Sequence, residues 1–454
     1  MNIVLLSGGS GKRLWPLSNE VRSKQFIKIF SRPAAESARE GEAVVYESMV
    51  QRVYRQIRAV DPSAEVTIAT SRSQVSAIHN QLGWDVGISV EPCRRDTFPA
   101  IALATAYLHD VRGVSEEEAV VVCPVDPYVE EGYFQCVRKL YDAAREGKEN
   151  LVLMGIEPTC PSEKYGYIKP EIRPDGTRGY TFTEKPTEKK AWEYIRSGAL
   201  WNGGVFAYRL KYVLEKSREL LGSSDYRYLS DHYAELKKIS FDYAVVERET
   251  AIGVIPYSGT WNDIGTWNAL TEAMEEPVIG RGTLGEQCDN VHIVNELDVP
   301  VLAAGLKDVV IAASPDGILV SGAKSADRIK AWVDAMDQQI MFAEKSWGSY
   351  QVIDVEQESQ TVKVTLKPGQ RMNYHSHDHR DEVWTIVSGT GETILEGEKR
   401  KVKPGDVVSM PAGCRHTIIA GDQGLQLIEV QIGEEISVAD KKKFEMKEEF
   451  TVRS

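Results

Sequence analysis

LSGGSGKRLWPLS, residues 6–18, joins an apolar first strand to a glycine-rich, basic loop, and that junction decides the fold of the amino-terminal half. The preceding residues, MNIVLL, are rich in branched side chains and read as a strand. Gly8, Gly9 and Gly11 then remove the side chains that would hold a ligand off the backbone, so main-chain amides can become the first anion contacts; taken alone, the GGSG cluster equally fits an ordinary glycine turn after a first strand. Arg13 adds a planar, permanently charged fork suited to phosphate oxygens, and Lys12 a point charge beside it. Two other phosphate loops are excluded. A Walker A loop needs Ser or Thr after its lysine, where Arg13 stands, and GxGxxG needs glycine where Leu14 stands.

Outward from this loop, strand-like runs alternate with longer amphipathic stretches as far as about residue 273: VTIAT at 66–70, AVVVCPVD at 119–126, NLVLMGI at 150–156 and GVIPY at 253–257. The alternation predicts an α/β domain with a mostly parallel sheet, in which ligands gather at the carboxyl ends of the strands. Residues 277–330 shift to short β-rich pieces broken by Gly, Pro and Asp, followed by a helix-like run, IKAWVDAMDQQIMFAEK, at 329–345. From Trp347 to about Gly433, dense strand and turn signals (KPG, SGTG, KPGD, PAG) predict a β-barrel, and the mixed-charge end, DKKKFEMKEEF, predicts a solvated strand or helix. The expected domains are 1–275, 276–345 and 346–454.

With 454 residues the chain exceeds a single comfortable core. Its net charge of -13 argues against nucleic acid as a partner, so anionic small molecules must be met by local cations or a divalent metal. Six cysteines without a CxxC pair fit reduced thiols. No apolar run long enough to span a bilayer occurs, which predicts a cytoplasmic protein without a membrane partner.

Asp126, in VVVCPVDPY, follows an apolar strand directly, so its carboxylate is expected at the carboxyl edge of the sheet, facing the glycine loop. Asp263, in TWNDIGTW, reads on its own as a turn aspartate. If the two converge, they suit one magnesium ion that bridges phosphate oxygens.

In order along the chain stand LSGGSGKRLWPLS, SKQF, EPCRRDTFPAIALA, PVDP, YGYI, FTEKP, WNGGVF, FDYAVVE and WNDIGTW. This ordered set resembles the bacterial mannose-1-phosphate guanylyltransferases, within the sugar-1-phosphate nucleotidyltransferases, and covers roughly residues 1–273. The resemblance implies a Rossmann-like nucleotidyltransferase domain that transfers GMP from GTP to mannose 1-phosphate. In that reading Gly8, Gly9 and Gly11 hold the nucleotide, Arg13 and Lys24 neutralise the leaving phosphates, and Asp126 and Asp263 hold magnesium. Glu184 accepts bonds from sugar hydroxyls, Lys185 pairs with the sugar phosphate, and Gly166 and Asn202 line the sugar pocket. Asp96 departs from the family's RNTAP pattern and favours guanine, whose N1 and N2 donors a carboxylate can accept. Singly, each residue has a plainer reading: Lys24 a solvated helix cation, Glu184 and Lys185 a surface pair, Asn202 a turn residue.

In the last third, Gly369, His375, His377, Glu382 and Gly389 match GX5HXHX4EX6G, and Gly405, Pro411, Gly413 and His416 match GX5PXGX2H, the two cupin motifs. At strand period, His375 and His377 share a face. Three imidazoles and a carboxylate suit a divalent transition metal (zinc, iron, manganese, cobalt or nickel) with open positions. WGSY, HRDEVW and IEVQIG resemble the bifunctional enzymes that also interconvert fructose 6-phosphate and mannose 6-phosphate. That family carries glutamine near His375, histidine at Val383 and an EDDIxR tail where this chain reads EISVADKKKF, so isomerase activity stays open. Glu382, Arg380 and Lys363 are candidates for polar roles in it. The alternatives are another hexose 1-phosphate as substrate beside a non-catalytic cupin, and a silent sugar-nucleotide-binding scaffold. A homodimer is expected from the family alone.

Overall fold

A computed structural model describes residues 1–8, 12–32, 45–172, 178–336 and 338–446. Gly9 and Gly11 lie outside the described residues. The chain divides into two units, one made of Met1–Leu14, Ser23–Pro277 and Ala323–Ile329, the other of Trp15–Arg22, Val278–Gly322 and Lys330–Ser454.

Parallel pairing orders Gly87–Glu91, Glu65–Ser71, Asn2–Leu6 and Ala119–Pro124 side by side in the first unit. Leu200–Arg209 then runs antiparallel to Ala119–Pro124 and also pairs with Leu151–Ile156 and Tyr167–Ile172. Arg178–Thr183 and Ile252–Tyr257 complete nine strands among the described residues. The central strands are unbroken apolar runs because both faces are covered, and Ile3, Val4, Leu5 and residues 120–122 are fully buried. One cover is the helix Thr97–Asp110, whose FPAIALA run is buried on every side. The helix Met49–Val60 starts at a reciprocal cap: Ser48 Oγ accepts from the Gln51 amide at 3.3 Å, and Gln51 Oε1 accepts from the Ser48 amide at 3.1 Å. Among the described residues no helix is long and apolar enough to cross a membrane.

The second unit begins with short strands stacked in parallel, Val278–Gly280, Asp289–Asn295 and Lys307–Ser314, around Val291, Ile293 and Ile311. Residues 15–22 belong here: Ser314 Oγ donates to the Pro16 carbonyl at 2.7 Å, and the Arg22 guanidinium forks onto both Glu296 oxygens at 2.7 Å. The helix expected over 329–345 is confined to Ile329–Asp334, because Phe342–Lys345 instead forms a hairpin with Gly348–Val355 that satisfies its backbone in the barrel sheet.

That barrel is a curled antiparallel sheet in which Ser359–Leu366 and Asp381–Leu395 flank His416–Ile432. Alternate residues Val362, Val364, Trp384, Ile386 and Leu427 point inward and form its core. The four motif glycines Gly369, Gly389, Gly405 and Gly413 all have φ between 66° and 92°, the left-handed region that other residues avoid. At Gly389 a Cβ would also lie 2.1 Å from the Gly424 carbonyl oxygen.

Candidate functional site

In the first unit, the short strand Pro127–Val129 pairs antiparallel with Trp261–Asp263, setting Pro127 opposite Asp263. Asp126 and Asp263, 137 positions apart in sequence, are thereby brought to one place at the carboxyl end of Ala119–Pro124. Lys24 stands between them. Its ammonium lies 2.8 Å from Asp126 Oδ2 and 3.6 Å from Asp263 Oδ1, and donates to the Ile264 carbonyl at 2.9 Å. The neighbouring Gln25 fixes the lysine's backbone by donating to Ser7 Oγ at 2.9 Å, at the end of the first strand. Arg13 completes the group: a Cβ built on Gly265 would meet Asp263 Oδ1 at 3.5 Å and Arg13 Nη1 at 3.6 Å, so guanidinium and carboxylate flank the same glycine. Gly8 is exposed with open space around it, as close approach of a ligand to its backbone requires. Two carboxylates gathered around a cation, themselves 36% and 47% exposed, have the charge and the access that a divalent ion needs.

A second group forms beside Tyr167–Ile172. Gly166 accepts the Asn202 amide at 2.8 Å, and a Cβ at Gly166 would fall 2.6 Å from Glu184 Oε2, so the glycine makes room for that carboxylate. Lys185, at φ 43°, turns its ammonium onto Glu184 Oε1 at 2.6 Å. Asn202 Nδ2 donates to Asp242 Oδ1 at 2.7 Å. Asp242 is the residue that sequence reasoning missed: the motif FDYAVVE marked its segment without marking the side chain. Burial, reinforced by the Glu184 charge, pushes the Asp242 carboxyl up to about 6 against the Asn202 hydrogen bond. Aromatic rings link the two groups, because Tyr165 packs on Trp261 at 5.1 Å and on Trp201 at 4.9 Å between centroids. Asp96 is exposed and caps the helix Thr97–Asp110, its Oδ1 accepting the Thr97 amide at 2.8 Å; among the described residues no hydrogen bond or ion pair ties it to either group.

In the second unit, His375, His377, Glu382 and His416 converge, with one ligand atom from each lying within 4.8 Å of the others. Strand register does this: His375 pairs with His416, and Glu382 enters from Asp381–Leu395. His375 and His416 direct Nδ1 at the carbonyls of Asn373 at 2.6 Å and Cys414 at 2.9 Å, which leaves Nε2 of each turned inward. His377 Nδ1 is buried without a hydrogen bond. Such a donor set, with two imidazoles pre-oriented by carbonyls, fits a transition metal. Burial drives His375 down to about 2 and His377 to about 4, so both are neutral and able to ligate. At His416 burial is outweighed by the Cys414 and Glu382 hydrogen bonds, raising it to about 9, and burial of Glu382 is outweighed by His416, His377 and Arg380, which hold it at about 2. Arg380 is buried, donating Nε to Glu382 Oε1 at 3.0 Å.

Lys363 does not belong to this site. It is exposed on the outer side of Ser359–Leu366, because its neighbours Val362 and Val364 take the inward positions. Glu429 occupies an inward position that no spacing motif marked: it pairs with Trp384, Gln431 beside it donates to Glu429 Oε1, and burial reinforced by the Glu382 charge raises its pKa to about 7.

The nucleotidyl transferase family matches residues 2–277, and the mannose-6-phosphate isomerase C-terminal family matches residues 334–446. This chain belongs to the nucleotidyl transferase family. It carries the isomerase-type domain behind it, as the sequence resemblance implied. The xanthan biosynthesis protein XanB of Xanthomonas campestris pv. campestris is 32% identical over 480 residues, covering 97% of each chain. The mannose-1-phosphate guanylyltransferase of Escherichia coli is 28% identical, again covering 97% of each. Among solved structures, one from Thermus thermophilus, described as a mannose-1-phosphate geranyltransferase, aligns with a TM-score of 0.59 at 30% identity over 74% of this chain and 98% of its own.

Proposed function

We propose that this family member transfers GMP from GTP to mannose 1-phosphate, giving GDP-mannose and pyrophosphate. The observation that carries the reading is the gathering of Lys24, Asp126 and Asp263 at the strand ends beside Arg13, in a chain that a mannose-1-phosphate guanylyltransferase matches nearly end to end. A sugar-phosphate oxygen attacks the α-phosphorus in line, one P–O bond forms, and the bond to the β-phosphate breaks. The attacking phosphate is already ionised, so no general base is required, and positioning with charge neutralisation supplies the acceleration. Gly8 lets the nucleotide approach the backbone, Arg13 and Lys24 take up the charge of the departing pyrophosphate, and Asp126 and Asp263 would hold magnesium, which neutralises phosphate oxygens when bound. Glu184 and Asn202, backed by Asp242, accept from and orient the sugar hydroxyls, while Lys185 meets the sugar phosphate. Asp96 is offered to guanine by its exposed second oxygen. The scattered cysteines support a cytoplasmic setting.

A second activity, interconversion of mannose 6-phosphate and fructose 6-phosphate, is favoured by the buried His375, His377, Glu382 and His416 cluster in a domain of the isomerase-type family. Those four side chains would hold a divalent transition metal, which polarises the sugar carbonyl when bound. Arg380 keeps Glu382 ionised and oriented. Glu429 replaces Lys363 as the interior group available to move a proton between C1 and C2.

The test is pyrophosphate release with magnesium, crossing GTP, ATP, UTP, CTP and dTTP against mannose, glucose and fucose 1-phosphates. Selective turnover of GTP with mannose 1-phosphate supports the reading. Another winning sugar moves it to a different hexose, and silence throughout leaves the scaffold.

A further inference from the structure

The carboxy-terminal strand Lys441–Lys443 pairs antiparallel with His375–His377, setting Lys441 opposite His377 and Lys443 opposite His375. Directly opposed residues of an antiparallel pair project from the same face, roughly 5 Å apart at Cα. Lys441 and Lys443 therefore emerge on the face that carries two of the four converging ligands, and Lys442 emerges on the other. The ion pairs divide in the same way. Lys442 is exposed and pairs with Asp378, whereas among the described residues Lys441 and Lys443 make no ion pair that close; the partly buried Lys441 feels the carboxylates of Glu429 and Glu382 on one side and the cations Arg380 and Lys443 on the other. The strand is pinned at both ends: Asp440 accepts the amides of Asp378 at 2.9 Å and His379 at 3.2 Å, and the Phe444 amide donates to the Tyr374 carbonyl at 2.9 Å. A third cation adjoins them, since the charge of Lys443 is felt at the half-buried Lys345.

We propose that Lys441 and Lys443 are the phosphate-binding end of a sugar-phosphate site whose other end is the His375, His377, Glu382 and His416 cluster. Lys443 and Arg380 add like charge at Lys441, and a phosphate dianion relieves that repulsion through charge-assisted hydrogen bonds. One small molecule can then present its phosphate to the lysines and its oxygens to the ligand cluster. This rests on the isomerase reading only for which sugar phosphate is bound.

The test is calorimetric titration of the full-length, manganese-loaded protein with fructose 6-phosphate and with fructose. The unaltered chain should bind the phosphorylated sugar at least about a hundredfold more tightly, and Lys441→Gln with Lys443→Gln should remove most of that preference, about tenfold per lysine. The double Lys→Arg variant should keep it, and an unchanged manganese content in both variants shows that the ligand cluster still folds. Lys185→Gln removes the cation expected to hold a sugar phosphate in the first unit. Unchanged binding in the double Gln variant, or loss only in Lys185→Gln, would overturn the proposal. Loss in the double Gln variant without isomerisation by any form would remove the isomerase and leave this site standing. Isomerisation by the double Gln variant with an unchanged KM would keep the isomerase and overturn the site.

Discussion

The two side-chain clusters of this chain, Lys24 with Asp126 and Asp263 and the three histidines with Glu382, are built on opposite principles. In the first unit Lys24, Asp126 and Asp263 are 20%, 36% and 47% exposed, and the lysine places its charge between the two carboxylates. In the second, His377, Glu382 and His416 are each 2% exposed, and Glu382 lies 3.1 Å from Nε2 of either histidine. An open group of charges leaves room for a polyanion and an ion to reach it. A buried one is arranged in advance, and its side chains are committed to one another before any ligand arrives.

The comparison predicts that a single change in the open site damages chemistry more than folding. Asp126→Asn should lower guanylyl transfer by about a thousandfold, the scale of losing one charge-stabilising group, with thermal unfolding nearly unchanged. Pyrophosphate release within tenfold of the unaltered protein would break the contrast. In the buried site the order reverses. Glu382→Gln leaves Arg380 and His416 without their shared counter-charge, and removing one partner of a buried pair destabilises by about 3 kcal/mol. Denaturant unfolding of the metal-free protein should show that loss and metal analysis an emptied cluster, while guanylyl transfer persists.

Asp242 sharpens the comparison, because it is a half-buried carboxyl whose ionisation desolvation opposes, placed within the first unit. Its folded pKa of about 6 exceeds the unfolded value, so its contribution to stability is complete below about pH 4 and is lost as pH rises through 6. Asp242→Asn should therefore stabilise the protein by about 1 kcal/mol at pH 7.5 and not at pH 4, while raising KM for mannose 1-phosphate. A stability change equal at both pH values would show that Asp242 is not held in a desolvated state.

Legibility followed the range of the interaction. The position of Asp126 is legible because a strand end lies beside it in sequence, and the convergence of His375, His377, Glu382 and His416 because two strand-and-turn motifs space them. Asp263 was ambiguous, since only its pairing partner 127–129 distinguishes it from a turn aspartate. Lys363 is a candidate in sequence and lies outside the barrel in the structure, because strand alternation determines which residues share a face but not which face is inside. The helix over 329–345 was overextended because its periodicity competes with a hairpin to Gly348–Val355 that the segment alone does not reveal.

By itself the sequence determined the α/β start, the family, and the motif spacing that groups His375, His377, Glu382 and His416, because each rests on local periodicity, turn chemistry or fixed spacing. Only the tertiary structure decided that Lys24 sits between Asp126 and Asp263, that Asp242 is half-buried and Glu429 buried, and that Lys441 and Lys443 share a sheet face with His377 and His375. Those facts depend on the register between strands far apart in the chain, where a slip of one residue would turn every side chain to the other face.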